Sequence, residues 1–341
     1  MIKIPFYPDT IPIVFSSNDY YVPYMSANMQ SIMENANMDK KYCFFVLHRD
    51  ISEEYMDLLK KQISVYNNFS IYFINVTEYF NGINFFLSGY VTIEAYFRLL
   101  IPYIFSEYHK VLYLDGDMIC LTDISDLFNI DLGNNLLAAV RDELSRYYCP
   151  NCVKDMKSRH KVFYKLKDPT TYFNSGLILF NTLAFRNFIS IEDLFKLAIS
   201  REWYIHDQDI LNFLSDGKKL ILPYNWNFIF STNAEYLPEN LLSEYKAAIN
   251  NQKIIHFCRK PLDSEYYIPF FEYFWKYATR TPFIDVMVKR MNDKGSISYE
   301  DFPERIIANI THRRGIGVRF ILFDCIKAWL SRNKKSNKLY D

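Results

Sequence analysis

Two carboxylates one residue apart, Asp115 and Asp117, close a short apolar run, Val111-Leu112-Tyr113-Leu114, with Gly116 between them. A β-branched and aromatic run of this length reads as a buried strand. Burying ionised carboxylates without partners is costly, so the pair calls for cations or water at the strand's carboxyl end. That end is where open α/β sheets place ligands. Hard oxygen ligands there suit Mg²⁺ or Mn²⁺ carrying a phosphate. Taken alone, the spacing equally describes an acidic turn. Two further groups could join the pair. Asp207, Gln208 and Asp209 open a segment whose apolar residues, Ile210, Leu211 and Leu214, have helical spacing. Acids are ordinary at a helix start, so capping is the plain reading. His256 lies inside an apolar strand at 253–257, where a histidine is more often a core residue than a ligand. Cys149 and Cys152 make a CxxC around Pro150 in a polar loop. No second pair accompanies it, so zinc or redox chemistry is not expected.

The elements that must position these groups alternate. Segments 11–17, 42–47, 69–76 and 110–114 read as strands. Segments 24–34, 52–66 and 93–105 read as helices, the second capped by Ser52. Strand-helix alternation predicts an α/β fold with a mainly parallel sheet and helices on both faces. Neither GxGxxG nor a Walker loop is present, so phosphates must be held by a metal or by side chains. Downstream, 136–141, 177–180, 219–222 and 227–230 read as strands, and 124–128 and 191–201 as helices. The polar stretch 142–171 reads as a loop facing an acceptor.

Composition narrows the classes. The 341 residues carry 39 basic and 39 acidic side chains, a balance that argues against nucleic acid as a partner. Half the residues are hydrophobic and 18% aromatic, enough for a large core. No run of about 18 apolar residues occurs, so a spanning helix is not expected, nor is a signal peptide. Six scattered cysteines suit free thiols in a reducing compartment. Between Arg305 and Lys338 the chain is strongly basic, with Asp324 its one acid and with Ile, Val, Phe, Leu and Trp329 interleaved. This predicts a basic amphipathic helical segment lying on an anionic membrane surface.

Six stretches then converge: IPIVFSSNDYYVPY at 11–24, TIEAYFRLLIP at 92–102, KVLYLDGDMI at 110–119, YFNSGLILFN at 172–181, HDQDILN at 206–212 and IIHFCRKP at 254–261. In this order the chain resembles glycosyltransferase family 8, which includes bacterial lipopolysaccharide and lipooligosaccharide galactosyl- and glucosyltransferases. The resemblance implies a GT-A fold and a retaining, metal-assisted transfer from UDP-galactose or UDP-glucose to an oligosaccharide acceptor on a lipid or glycan. It implies Mn²⁺, with Mg²⁺ as the alternative, held by Asp115, Asp117 and His256. Lys260 would lie by the diphosphate. Ser16, Asn18 and Tyr21 would surround the uridine, with Gly116 close to the nucleotide. Arg98, Asn174, Asp207 and Gln208 would meet the donor sugar, Gln208 near the anomeric carbon. Asp209 is the nearest carboxylate for a double-displacement route; otherwise the amide at 208 favours front-face return. The chain departs from the family at Asn18, Tyr20 and the stretch after His256, which lacks the usual Gly and Trp. That departure motivates the alternative of a non-catalytic UDP-sugar or glycan-binding protein. The expected organisation is a catalytic domain at 1–278 and a helical, basic, membrane-associating region at 279–341, on the inner face of the cytoplasmic membrane.

Overall fold

The computed structural model describes residues 4–87, 91–142, 165–231, 234–258 and 270–293. Its centre is a seven-stranded sheet in the order β3-β2-β1-β4-β7-β6-β8. The strands are β1 (Thr10–Ser16), β2 (Lys41–His48), β3 (Phe69–Asn75), β4 (Lys110–Leu114), β6 (Leu137–Arg141), β7 (Phe173–Asn181) and β8 (Lys219–Leu222). A second sheet of three short strands runs β5-β10-β9, from Met118–Cys120, Ile254–His256 and Phe228–Ile229. β1 is parallel to β2 and β4, and β2 to β3. The expected parallel half-domain is therefore present.

β7 is the exception. It lies antiparallel between β4 and β6. An apolar strand buried on both faces looks the same in either direction, so the sequence pattern carried no sign of this. The inversion has a consequence for the site. It brings the start of β7, Asn174 to Gly176, to the carboxyl edge of β4, and Asp115 N–H donates to Gly176 O at 2.7 Å.

Helix α1 (Val22–Asn35) is buried along nearly its whole length. It is held between the sheet, β5 and the helix Phe271–Ala278. Pro23 stands in its first turn, where a missing N–H costs nothing. Helix α2 (Glu53–Ile63) starts after Ser52 as expected, but the Ser52 side chain makes no cap hydrogen bond. The Ser52 N–H is used instead, donating to Asp19 Oδ1 at 2.8 Å. The helix expected over 93–105 is a 3-10 helix, Ile93–Leu100, followed by a single α turn, Ile101–Ile104. Pro102 lacks the N–H that would continue the ladder.

Sheet and helices enclose two apolar clusters, one on each face. Phe283, Met287 and Val288 of the last described helix, Ile284–Asp293 with its leading residue, are buried in the first cluster. Arg280 pairs with Glu34 at 2.6 Å, and Arg290 donates to Tyr20 O at 2.6 Å. The division expected at 278/279 thus falls within a helical pair packed on α1. Among the described residues no helix is long and apolar enough to cross a membrane. The basic segment beyond 293 and the CxxC at 149–152 lie outside the described residues; Cys43, Cys120 and Cys258 are free thiols.

Candidate active site

β4 delivers Asp115 to the carboxyl edge of the large sheet, and the chain reverses through Gly116 and Asp117 into β5. Gly116 is needed for packing. A Cβ there would stand 3.2 Å from Met25 Cβ and 3.4 Å from the α1 backbone. β10 pairs with β5 so that His256 lies opposite Met118, one residue past Asp117. This short antiparallel pairing joins residues about 140 positions apart. His256 Nε2 comes 3.2 Å from Asp117 Oδ1 and 3.8 Å from Asp115 Oδ2. One ligand atom from each of Asp115, Asp117 and His256 lies within 4.8 Å of the others. Burial lowers the proton affinity of His256, but the Cys258 sulfur and the Asp117 carboxylate outweigh it and hold the imidazole well above its ordinary range.

The three residues fit a divalent cation. Two carboxylates and an imidazole are a hard-to-borderline donor set. The space is kept by Gly176, where a Cβ would run into the His256 ring and stand 2.7 Å from Asp115 Oδ2 and 2.9 Å from Asn174 Oδ1. Gly176→Ala is accordingly expected to weaken Mn²⁺ binding about 10-fold or more, read by calorimetry on the purified protein.

Behind the carboxylates lies Arg98, fully enclosed on its 3-10 helix. It pairs with Asp115 Oδ1 through NH2 at 3.1 Å and with Asp207 Oδ2 through Nε at 3.1 Å. Its NH1 donates to Ser175 O and, at 3.1 Å, to Ser175 Oγ. The guanidinium stacks 4.4 Å from the Tyr113 ring centre, and Tyr113 OH donates to Asp115 Oδ1 at 2.8 Å. Burial works against its charge, yet Asp115 and Asp207 raise its proton affinity further, so it stays a cation.

Asp207 follows His206, whose φ of 43° is a left-handed turn seldom made by non-glycine residues. Burial pushes the Asp207 carboxyl up from 3.8 to about 6, with Arg98 pulling the other way. Between those values the folded chain holds a proton that the unfolded chain has released. This group's contribution to stability is therefore full below 3.8 and is lost as pH rises through about 6. Asp207→Asn is expected to flatten that slope in thermal midpoints measured across the same window.

Gln208 is held on both sides of its amide. Its Oε1 accepts from Ser175 N at 3.0 Å and Asn174 Nδ2 at 3.3 Å, and its Nε2 donates to Asp142 Oδ2 at 2.9 Å. Asp209 meets this cluster through Tyr172, whose OH accepts from Gln208 Nε2 at 3.2 Å. It is fully buried, its Oδ1 accepts from Tyr172 OH at 2.7 Å and its Oδ2 from Ile205 N at 3.1 Å. The plain capping reading describes it, and the geometry does not offer it as a nucleophile.

Ser16 ends β1 at the same edge. Asn18 shapes the turn into α1, its Oδ1 accepting from Tyr20 N and Tyr21 N at 3.1 and 3.3 Å. Tyr21 packs edge-on against Tyr20, ring centres 5.2 Å apart. Lys260 lies outside the described residues.

Asn28, Asp142 and Asn227 are site residues that motif reading did not select. Asn28, on the apolar face of α1, donates to Asp115 O at 2.8 Å. Asn227, wholly buried, meets His256 Nδ1 at 3.0 Å. Both are amides set among apolar neighbours, a mismatch that marks a buried polar contact.

The sequence profile described as glycosyl transferase family 8 matches residues 12–262. The chain belongs to glycosyl transferase family 8. This family 8 chain is 28% identical over 259 residues to a Haemophilus influenzae protein provisionally named a glycosyltransferase, covering 73% of the chain and 71% of the relative. It is 24% identical to an Escherichia coli lipopolysaccharide 1,2-glucosyltransferase over 72% of the chain and 70% of the relative. Among solved structures it is similar to the galactosyltransferase LgtC in complex with donor and acceptor sugar analogues, with a TM-score of 0.65 and 25% identity. That match covers 80% of the chain and 96% of LgtC. The fold is also that of the bifunctional glycosyltransferase WbbM, with a TM-score of 0.72 at 24% identity, although the chain covers only 52% of WbbM. These GT-A relatives agree with the architecture above.

Proposed function

We propose that this chain is a retaining hexosyltransferase that moves galactose or glucose from UDP-galactose or UDP-glucose to an oligosaccharide of a lipopolysaccharide or surface glycan. The observation that carries this is the convergence of Asp115, Asp117 and His256 at the carboxyl sheet edge, beside the Arg98–Asp207–Ser175 cluster. The names of the relatives, a lipopolysaccharide glucosyltransferase and a galactosyltransferase, support the substrate class.

Asp115, Asp117 and His256 would hold Mn²⁺, or Mg²⁺ in its place. When bound, the cation neutralises charge that develops on the β-phosphate as UDP departs. Arg98 keeps Asp115 and Asp207 fixed before the donor arrives, so no reorganisation is needed during reaction. Asp207 and Asn174 hydrogen-bond donor hydroxyls in this reading. Ser16, Asn18 and Tyr21 flank the uridine, Gly116 lies near the nucleotide, and Lys260 would add positive charge by the diphosphate.

Retention by double displacement needs a nucleophile poised under the anomeric carbon. Gln208 Oε1 already accepts two N–H groups, and both Asp209 oxygens are engaged. The arrangement favours front-face return: the acceptor hydroxyl attacks from the UDP side and the β-phosphate oxygen takes its proton.

The test is turnover of UDP-galactose against UDP-glucose with Mn²⁺, followed by mass spectrometry of a lipopolysaccharide core acceptor. Transfer that stops on chelation and returns with Mn²⁺ is expected. Absence of both UDP binding and turnover would sink the reading, and UDP binding without turnover would replace catalysis with a binding role. The basic segment is proposed to hold the enzyme on the inner face of the cytoplasmic membrane. Truncation at Phe302 is expected to release the protein from anionic vesicles in a flotation assay; equal flotation of both forms would refute it.

A further inference from the structure

His256 can offer a lone pair to a cation at one ring nitrogen only when the other carries the proton. Which nitrogen that is follows from the hydrogen bond made on the far side of the ring. Here the far side is Nδ1, 3.0 Å from Asn227 Oδ1, while Nε2 faces the Asp115 and Asp117 carboxylates. An amide can turn either its oxygen or its nitrogen to a neighbour, so this contact by itself does not choose the tautomer. The choice is made two residues further away.

Gly176 N is a backbone N–H and can only donate. It donates to the side-chain oxygen of Asn174 at 3.0 Å. That fixes the Asn174 oxygen on the side where Asn227 also approaches, so Asn227 must present its NH₂ there, at 3.0 Å. The Asn227 oxygen is then turned to His256, and Nδ1 must be the donor. Reversing Asn227 would set two oxygens against each other inside the protein, since Asn227 is fully buried. At the other end of the same array, Ser175 N fixes Gln208 Oε1, and the Asp142 carboxylate takes Gln208 Nε2. Asn174 Nδ2 faces Gln208 Oε1, so all three amides are oriented in one sense.

We propose that Asn227 is a positioning residue of the metal centre: the Gly176 N–H, relayed through Asn174 and Asn227, holds His256 with its proton on Nδ1 and its Nε2 lone pair towards the cation. This rests on the metal reading of Asp115, Asp117 and His256. The same array joins that centre to the Gln208 amide, so one buried side chain links metal affinity to the geometry at the sugar.

Two variants separate these roles. Asn227→Leu removes the acceptor and is expected to weaken Mn²⁺ binding by about 10- to 100-fold in calorimetry of the full chain. Asn227→Asp still accepts from Nδ1–H but cannot donate to Asn174. It is expected to keep Mn²⁺ affinity within about 3-fold of wild type while kcat falls, because the acceptor for Nδ1–H is retained and the link through Asn174 to Gln208 is lost. Wild-type protein labelled with ¹⁵N-histidine is expected to show His256 protonated at Nδ1 once Mg²⁺ is added, with any proton on Nε2, which faces Asp117 in the metal-free protein, displaced by the cation; a His256→Asn sample assigns the signal. An Nε2–H tautomer that persists in Mg²⁺-loaded wild type overturns the proposal even if a variant does not fold, as does Mn²⁺ binding by Asn227→Leu equal to wild type. Wild type that binds no divalent cation would instead overturn the metal reading itself.

Discussion

Asp117→Ala is expected to abolish transfer, lowering kcat on the order of 10³-fold, while the thermal midpoint hardly moves. Two features of the site produce this split. The Asp117 side chain is about one-fifth exposed, and its close side-chain neighbour among the ion pairs is His256. Its backbone oxygen, which accepts from Phe257 N at 3.1 Å, survives the substitution. Removing the carboxylate therefore strands no buried donor except the His256 ring, and it relieves repulsion from Asp115. The stability change should stay within about 1 kcal/mol. Calorimetry should show Mn²⁺ binding lost in parallel with activity. A large fall in midpoint would instead identify Asp117 as a structural carboxylate, and the cation reading would lose its main support.

Arg98→Met should do the reverse, costing both activity and fold. The guanidinium is enclosed between Asp115, Asp207, Ser175 and the Tyr113 ring. Methionine restores much of the volume but leaves Asp207, already pushed up to about 6 by burial, without its cation. Removing one partner of a buried pair costs about 3–5 kcal/mol, because the remaining charge must be neutralised or hydrated. Denaturant unfolding of wild type, Arg98→Met, Asp207→Asn and the double variant makes a thermodynamic cycle. The double variant should recover part of the single loss, since an amide at 207 needs no counter-charge. No recovery would mean that Arg98 acts through packing on Tyr113 rather than through the carboxylates.

Much of this architecture was legible before any coordinates. Local pattern places β1, β2, β3 and β4 and the acids after Leu114, because strand periodicity and turn chemistry act over a few residues. Local pattern fails where direction or partnership is decided at long range. The inverted β7 reads like any other buried strand. The helices Glu239–Ile249 and Phe271–Ala278 escape local pattern, since short amphipathic segments are stabilised mainly by what they pack against. Asp209 shows the opposite case. Its residue type suited catalysis, and its bonds to Tyr172 and Ile205 make it a cap.

For this protein, sequence alone determined the inventory: a mostly parallel α/β sheet, two acids at a strand end, an Arg, an amide pair and a distant histidine in the order of family 8. Tertiary structure decided which of them meet. The three-residue pairing of β10 with β5 turns His256 from a core histidine into a neighbour of Asp117. The inverted β7 sets Gly176 and Asn174 against that histidine. The physical reason is one of range. Side-chain type and spacing report local propensity, whereas the protonation and lone-pair direction of a buried ring depend on partners that only the closed sheet brings within hydrogen-bonding distance.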